Sequence, residues 1–94
     1  MTEEELLMAA RVIVARNVTP QVRLAAVTWL ASDSKLLLYY YTHQQPTEQD
    51  IEEAEIAMTE LIAEFPDVLD CETSCTQWVG QSAAGHIVFS VAAA

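Results

Sequence analysis

Between Asp50 and Pro66, Ile51, Ala54, Met58, Leu61, Ile62 and Phe65 follow one another in steps of 3, 4, 3, 1 and 3. That spacing keeps them in one stripe of an α-helix and does not fit a β-strand, whose faces alternate at every residue. Thr47 with Asp50 begins the helix, and Pro66 stops it because proline has no amide proton to continue the ladder. A helix with one apolar stripe has to cover an apolar surface supplied elsewhere in the chain. At about 100° per residue its opposite face carries Gln49, Glu52, Glu53, Glu60, Ala63 and Glu64, with Ile56 in their middle.

Two strand pairs supply the surface. Val22 to Leu30 and Leu36 to Thr42 are rich in Val, Leu, Trp and Tyr, and the polar residues 31–35 between them suit an antiparallel hairpin. Alternation groups Val22, Leu24, Ala26, Thr28 and Leu30 on one face of the first strand. Tyr39, Tyr40 and Tyr41 must point alternately, so at least one ring faces away from the main core. Val68 to Val79 alternates again, and His86 to Val91 is a last strand before an Ala-Ala-Ala tail. Ahead of these, Thr2 and Glu5 form a capping-box pattern for a first helix from Glu3 to Arg16, with Leu6, Leu7, Ala10, Ile13 and Val14 inward and Asn17 as a left-handed cap. Met8, Val12 and Ala15 occupy its far side, an apolar back that needs a cover. The expected fold is α+β, a single domain over residues 1–94, with two helices on an antiparallel sheet of about four strands in the order αββαββ.

Charge narrows the function. The chain has 14 acidic against 4 basic residues, and no Lys or Arg after Lys35. Ten acids crowd between Glu48 and Glu72, so the net charge of −10 is concentrated in one patch. Such a patch repels nucleic acid and anionic lipid, and is either a solvated face or a docking surface for a basic partner. Ile56 ringed by carboxylates resembles an interface anchor inside a polar rim. Residues 1–10 carry acids where a secretory leader carries basic residues, and no apolar run approaches the roughly 20 residues of a membrane span. The chain is therefore expected in the cytoplasm.

Catalytic signatures are missing. With only Gly80 and Gly85 there is no glycine-rich phosphate loop, and His43 and His86 stand apart from the cysteines, so neither a cofactor nor a metal is expected. Cys71 and Cys75 lie roughly 13 Å apart along an extended strand at about 3.3 Å per residue, too far for a mutual disulfide, and are expected as small core residues. The carboxylates belong to an open helix surface and not to a pocket that would separate their pKa values. No catalytic residue and no enzymatic activity is assigned.

Several segments together resemble a known family: Asn17-Val18-Thr19-Pro20-Gln21-Val22-Arg23, Trp29, Leu36-Leu37-Leu38-Tyr39-Tyr40-Tyr41, Thr47-Glu48-Gln49-Asp50 and Thr59 through Asp67. Over about residues 5–76 the chain resembles small acidic bacterial immunity proteins of contact-dependent growth inhibition and related toxin systems. The resemblance implies a small antiparallel sheet with two helices, and a partner toxin, which in some members is a nuclease. The expected function is thus an immunity protein that occludes the active-site cleft of a basic cognate toxin domain, a nuclease. Glu48, Glu52, Glu53, Ile56, Glu60, Glu64, Asp67, Asp70 and Glu72 are the expected partner-binding residues. The alternative is a small adaptor or structural subunit that forms a homodimer through the back of the first helix and has no toxin partner.

Overall fold

The computed structural model describes residues 1–91, and the Ala-Ala-Ala tail at 92–94 lies outside them. α1 (Glu3–Arg16) begins at a capping box: the Glu5 amide donates to the Thr2 hydroxyl, and the Thr2 amide donates to the Glu5 carboxylate. β1 (Val22–Leu30) and β2 (Lys35–Thr42) form the hairpin, turning through a 3-10 segment and a left-handed Ser34 at φ 48°. α2 (Glu48–Glu64) starts from a second capping box made by Thr47 and Asp50. β3 (Asp70–Gln77) and β4 (His86–Ser90) complete the order αββαββ.

Two helices and four strands give the α+β fold expected, with one correction to the sheet. Its order is β3-β2-β1-β4; β1 is antiparallel to both neighbours, while β3 is parallel to β2. A helix inserted between two neighbouring strands returns the chain to the end where the first began. β3 therefore starts beside Lys35, with Asp70 opposite it, and ends with Gln77 opposite Thr42.

The helices bury their stripes against one sheet face. Leu6, Ala10, Ile13 and Val14 of α1 meet Ala54, Ala57, Met58 and Leu61 of α2 over Ala25, Val27, Leu36, Leu38 and Tyr40. Full burial of a side chain such as Leu61 contributes about 1.5–3 kcal/mol. A bulge between Val22 and Leu24 adds one residue to β1, which moves Val22 from the face of Leu24 to the core with Ala25 and Val27.

Three other expectations are corrected. Ile51 and Ile62 are 44% and 36% exposed, and Asp50 and Ala57 take their place in the buried stripe. The cause is tertiary: Asp50 is tied inward to Thr19 and Gln21, which rotates Ile51 and Ile62 out of the buried stripe and sets Ile62 beside Cys71 and Thr73 of the edge strand β3. Asn17 is not left-handed (φ −127°, ψ 54°); its side-chain amide donates to the Ile13 carbonyl and its own carbonyl accepts from the Tyr40 hydroxyl. Both cysteines are free, but Cys71 is exposed and only Cys75 packs against the core, because β3 is an edge strand.

Since β3 and β4 lie at opposite edges, residues 78–85 cross the sheet on the face away from the helices. Trp78 stands edge-on to Tyr41 at 5.4 Å with the Arg23 guanidinium 5.8 Å from its ring, and the Ala84 amide donates to the Tyr41 hydroxyl. The crossing ends at Gly85 (φ 78°), where a Cβ would sit 2.2 Å from Thr28 Oγ1 and 2.3 Å from the Val27 carbonyl oxygen. Only glycine fits so close to the sheet.

Candidate functional site

The acidic run is mounted on α2, and buried polar contacts fix how that helix is turned. Asp50, 1% exposed, accepts from the Thr19 hydroxyl, the Gln21 side-chain amide and the Thr47 backbone amide. Burial raises its carboxyl, but these hydrogen bonds outweigh burial and hold it below the ordinary carboxylate range. The C-terminal end of α1 is tied further along α2, where Arg16 and Asn17 donate to Glu60 at 2.6 and 3.1 Å, and the Met1 amino group at its other end reaches Asp67 beyond the end of α2. The Arg16 hydrogen bond is the main reason that Glu60 lies below its usual value. The two helices thus run side by side in opposite directions, with α2 presenting a defined outer face.

The ten acids divide into two groups. Asp50 is a buried cap, Glu60 is bound by Arg16, and Asp67 accepts from the Met1 amino group at 3.0 Å. Lys35 lies 3.8 Å from Asp70 and 3.4 Å from Glu72, and its hydrogen bond to Glu72, then the Asp70 charge, raise its ammonium above the ordinary value. Among the described residues Glu48, Glu52, Glu53, Glu55 and Glu64 have no basic partner. Within this run of ten acids, the carboxylates without a basic partner and exposed to solvent are therefore confined to α2. Of the residues expected at the site, Glu48, Glu52, Glu53, Ile56 and Glu64 share that helix without an internal ion pair, whereas Glu60, Asp67, Asp70 and Glu72 are already engaged. Ile56 is 38% exposed among them. Glu55 was not among the expected site residues; its place on the charged run was visible, but the free β3 side it faces was not.

Two grooves flank this face. One, about 390 Å³, lies between the helices and is lined by Glu5, Met8, Ala9, Val12, Glu64 and Phe65. Met8 and Val12 at its rim are 59% and 58% exposed, as their place on the far side of the first helix implies. The other, about 280 Å³, lies between α2 and β3. No helix among the described residues is long and apolar enough to cross a membrane, and these residues hold no group of three or more His, Cys, Asp or Glu placed to bind a metal.

Comparison with known proteins supplies a family. The family model described as MafI2 immunity protein matches residues 3–86, from the first turn of α1 to the start of β4, and the chain belongs to that family. No curated protein matches the sequence.

Proposed function

We propose that this immunity-family chain neutralises a basic cognate toxin domain, a nuclease, in the cytoplasm by seating the outer face of α2 over its substrate cleft. The observation that carries this is the sorting of charge: five carboxylates without basic partners share one helix with the exposed Ile56, while the remaining acids of the run are satisfied internally. A cleft that receives phosphates is positive, so the same field that attracts substrate attracts this helix. Rim charge sets the encounter, and a desolvated anchor such as Ile56 sets the lifetime. The chain acts by binding and catalyses nothing. Glu60, Asp67, Asp70 and Glu72 form the border of this surface, because exposed ion pairs worth about 0–1 kcal/mol each are readily exchanged for a partner's cations.

The test is co-expression with candidate cognate toxin domains from the same genome, together with a cleavage assay on purified proteins. The proposal requires that the chain restores growth, and that cleavage falls in step with complex formation. A complex that still cleaves its substrate would place the binding site away from the cleft. The exposure of Met8 and Val12 supports a second contact, between two copies of the chain through α1. Sedimentation of wild type and Val12→Glu tests it: a dimer in the first and a monomer in the second is required.

A further inference from the structure

β3 is an outer strand of the sheet, and its free edge is unlike that of β4. It pairs with β2 through eight consecutive residues without a register shift, whereas β4 has five residues and a shift between Ala25 and Ala26 of its neighbour. Bulges blunt edges; an unbroken strand leaves a usable ladder. The Asp70 amide donates to Ser34 and the Trp78 amide to Thr42, so even-numbered residues of β3 turn their backbone groups toward β2. Alternation then points the amides and carbonyls of the odd-numbered residues outward. Both ends of that outward row are closed locally: the Asp70 carboxylate accepts from the Cys71 amide, and Gln81 donates to the Gln77 carbonyl. Thr73 and Cys75 lie open between them.

Beside this gap is the 280 Å³ groove, whose lining includes Glu55, Met58, Ile62, Cys71 and Thr73. A strand laid against β3 sends alternate side chains into it, under α2. Its floor is apolar and Glu55 at its margin lacks a basic partner among the described residues, which suits a Lys or Arg whose stem packs on Ile62 while its cation meets the carboxylate. A second copy is disfavoured as occupant, since it would bring another chain of net charge −10 against this acidic edge, whereas a basic segment meets the opposite sign. We infer that the toxin docks by adding an extended, basic segment to the β3 edge, hydrogen-bonded to Thr73 and Cys75 with a cationic side chain in the groove at Glu55. This rests on the reading above that the partner is a basic toxin domain.

The test uses the full chain and the candidate cognate toxin domain that it neutralises in the co-expression assay. Amide hydrogen exchange on the wild-type chain, free and saturated, is expected to slow at Thr73 and Cys75 by about tenfold or more, as for amides entering a ladder. Thr73→Pro removes an outward amide that gives no bond to β2, so the variant should retain its circular dichroism and thermal midpoint while losing affinity by about tenfold or more. Should that variant fail to fold, the exchange measurement on wild type decides alone. Unchanged exchange at both amides in a complex that does form, or full affinity in a folded Thr73→Pro, overturns strand addition and leaves the acidic face of α2 as the contact. Absence of any complex with wild type overturns both proposals.

Discussion

Asp50→Asn removes one charge and no volume from the contact that sets the rotation of α2. The carboxylate accepts three hydrogen bonds, from the Thr19 hydroxyl, the Gln21 side-chain amide and the Thr47 backbone amide. The substituted side chain keeps a single, uncharged oxygen for the Gln21 and Thr47 amides and turns an NH₂ group toward the Thr19 hydroxyl, which must reverse from donor to acceptor, so three charge-assisted hydrogen bonds become neutral ones. At about 1.5–3 kcal/mol for a hydrogen bond to a charged group, and with part of the loss recovered by the remaining oxygen, the destabilisation should be about 3 kcal/mol. For a domain of this size that is a fall in thermal midpoint of roughly 10–20 °C. Urea unfolding of both proteins is the assay, with an unchanged slope showing that the native state is intact. The pH dependence follows from the folded carboxyl lying below its unfolded value of about 3.9: the stabilisation is fully present above that value and is lost as pH falls through the folded pKa. The gap between wild type and variant should therefore narrow below about pH 4. A difference under about 1 kcal/mol at neutral pH would refute the claim that this buried carboxylate anchors the helix.

Other positions give sharper contrasts. Gly85→Ala should unfold the chain or lower its midpoint by more than 10 °C, about 2 kcal/mol or more, because its Cβ meets the Val27 backbone at a positive φ; a variant as stable as wild type refutes the close crossing. Thiol labelling of the native protein should be fast at exposed Cys71 and slow at Cys75, whose thiol is pushed up to about 11, chiefly by burial; equal rates would contradict their placement. Leu61→Ala should cost about 2–5 kcal/mol as a cavity forms, while Ile56→Ala should cost under about 1 kcal/mol and yet speed dissociation from the toxin. If Ile56→Ala leaves the dissociation rate unchanged, it is not an anchor.

The elements were legible where a local rule decides them. Thr2 with Glu5, Thr47 with Asp50, and Pro66 mark helix ends through groups within a few residues, and both helices begin where those residues place them. What depended on distant residues was not. A carboxylate such as Asp50 looks like surface until Thr19 and Gln21, some 30 positions away, supply its hydrogen bonds, and so the buried stripe of α2 was legible at Ala54, Met58, Leu61 and Phe65 but not at Asp50, which is buried where Ile51 was expected. Glu60 looked as free as Glu64 because nothing local to α2 announces that Arg16 reaches it across the helix pair. The parallel pairing of β3 was hidden because alternation shows which face a strand buries and says nothing of the strand beside it. The charge run was plain in the sequence, but its division into engaged and unpartnered acids required the fold.

The central claim is that the unpartnered carboxylates of α2 steer the chain onto a basic toxin. The most direct measurement is the association rate with a candidate cognate toxin domain, followed by stopped flow from about 0.05 to 0.3 M salt, for wild type and for Glu52→Lys with Glu53→Lys. Neither substituted residue has a basic partner among the described residues, and Glu52 is exposed while Glu53 is half-buried, so the reversal breaks no ion pair of the fold. Wild-type association should be fast and fall steeply as salt shortens the reach of exposed charge to roughly 8 Å near 0.15 M. The double reversal should slow it by about tenfold or more at low salt and flatten the slope. Equal rates and equal salt slopes for the two proteins would contradict the account and reduce the acidic face of α2 to a solvated surface.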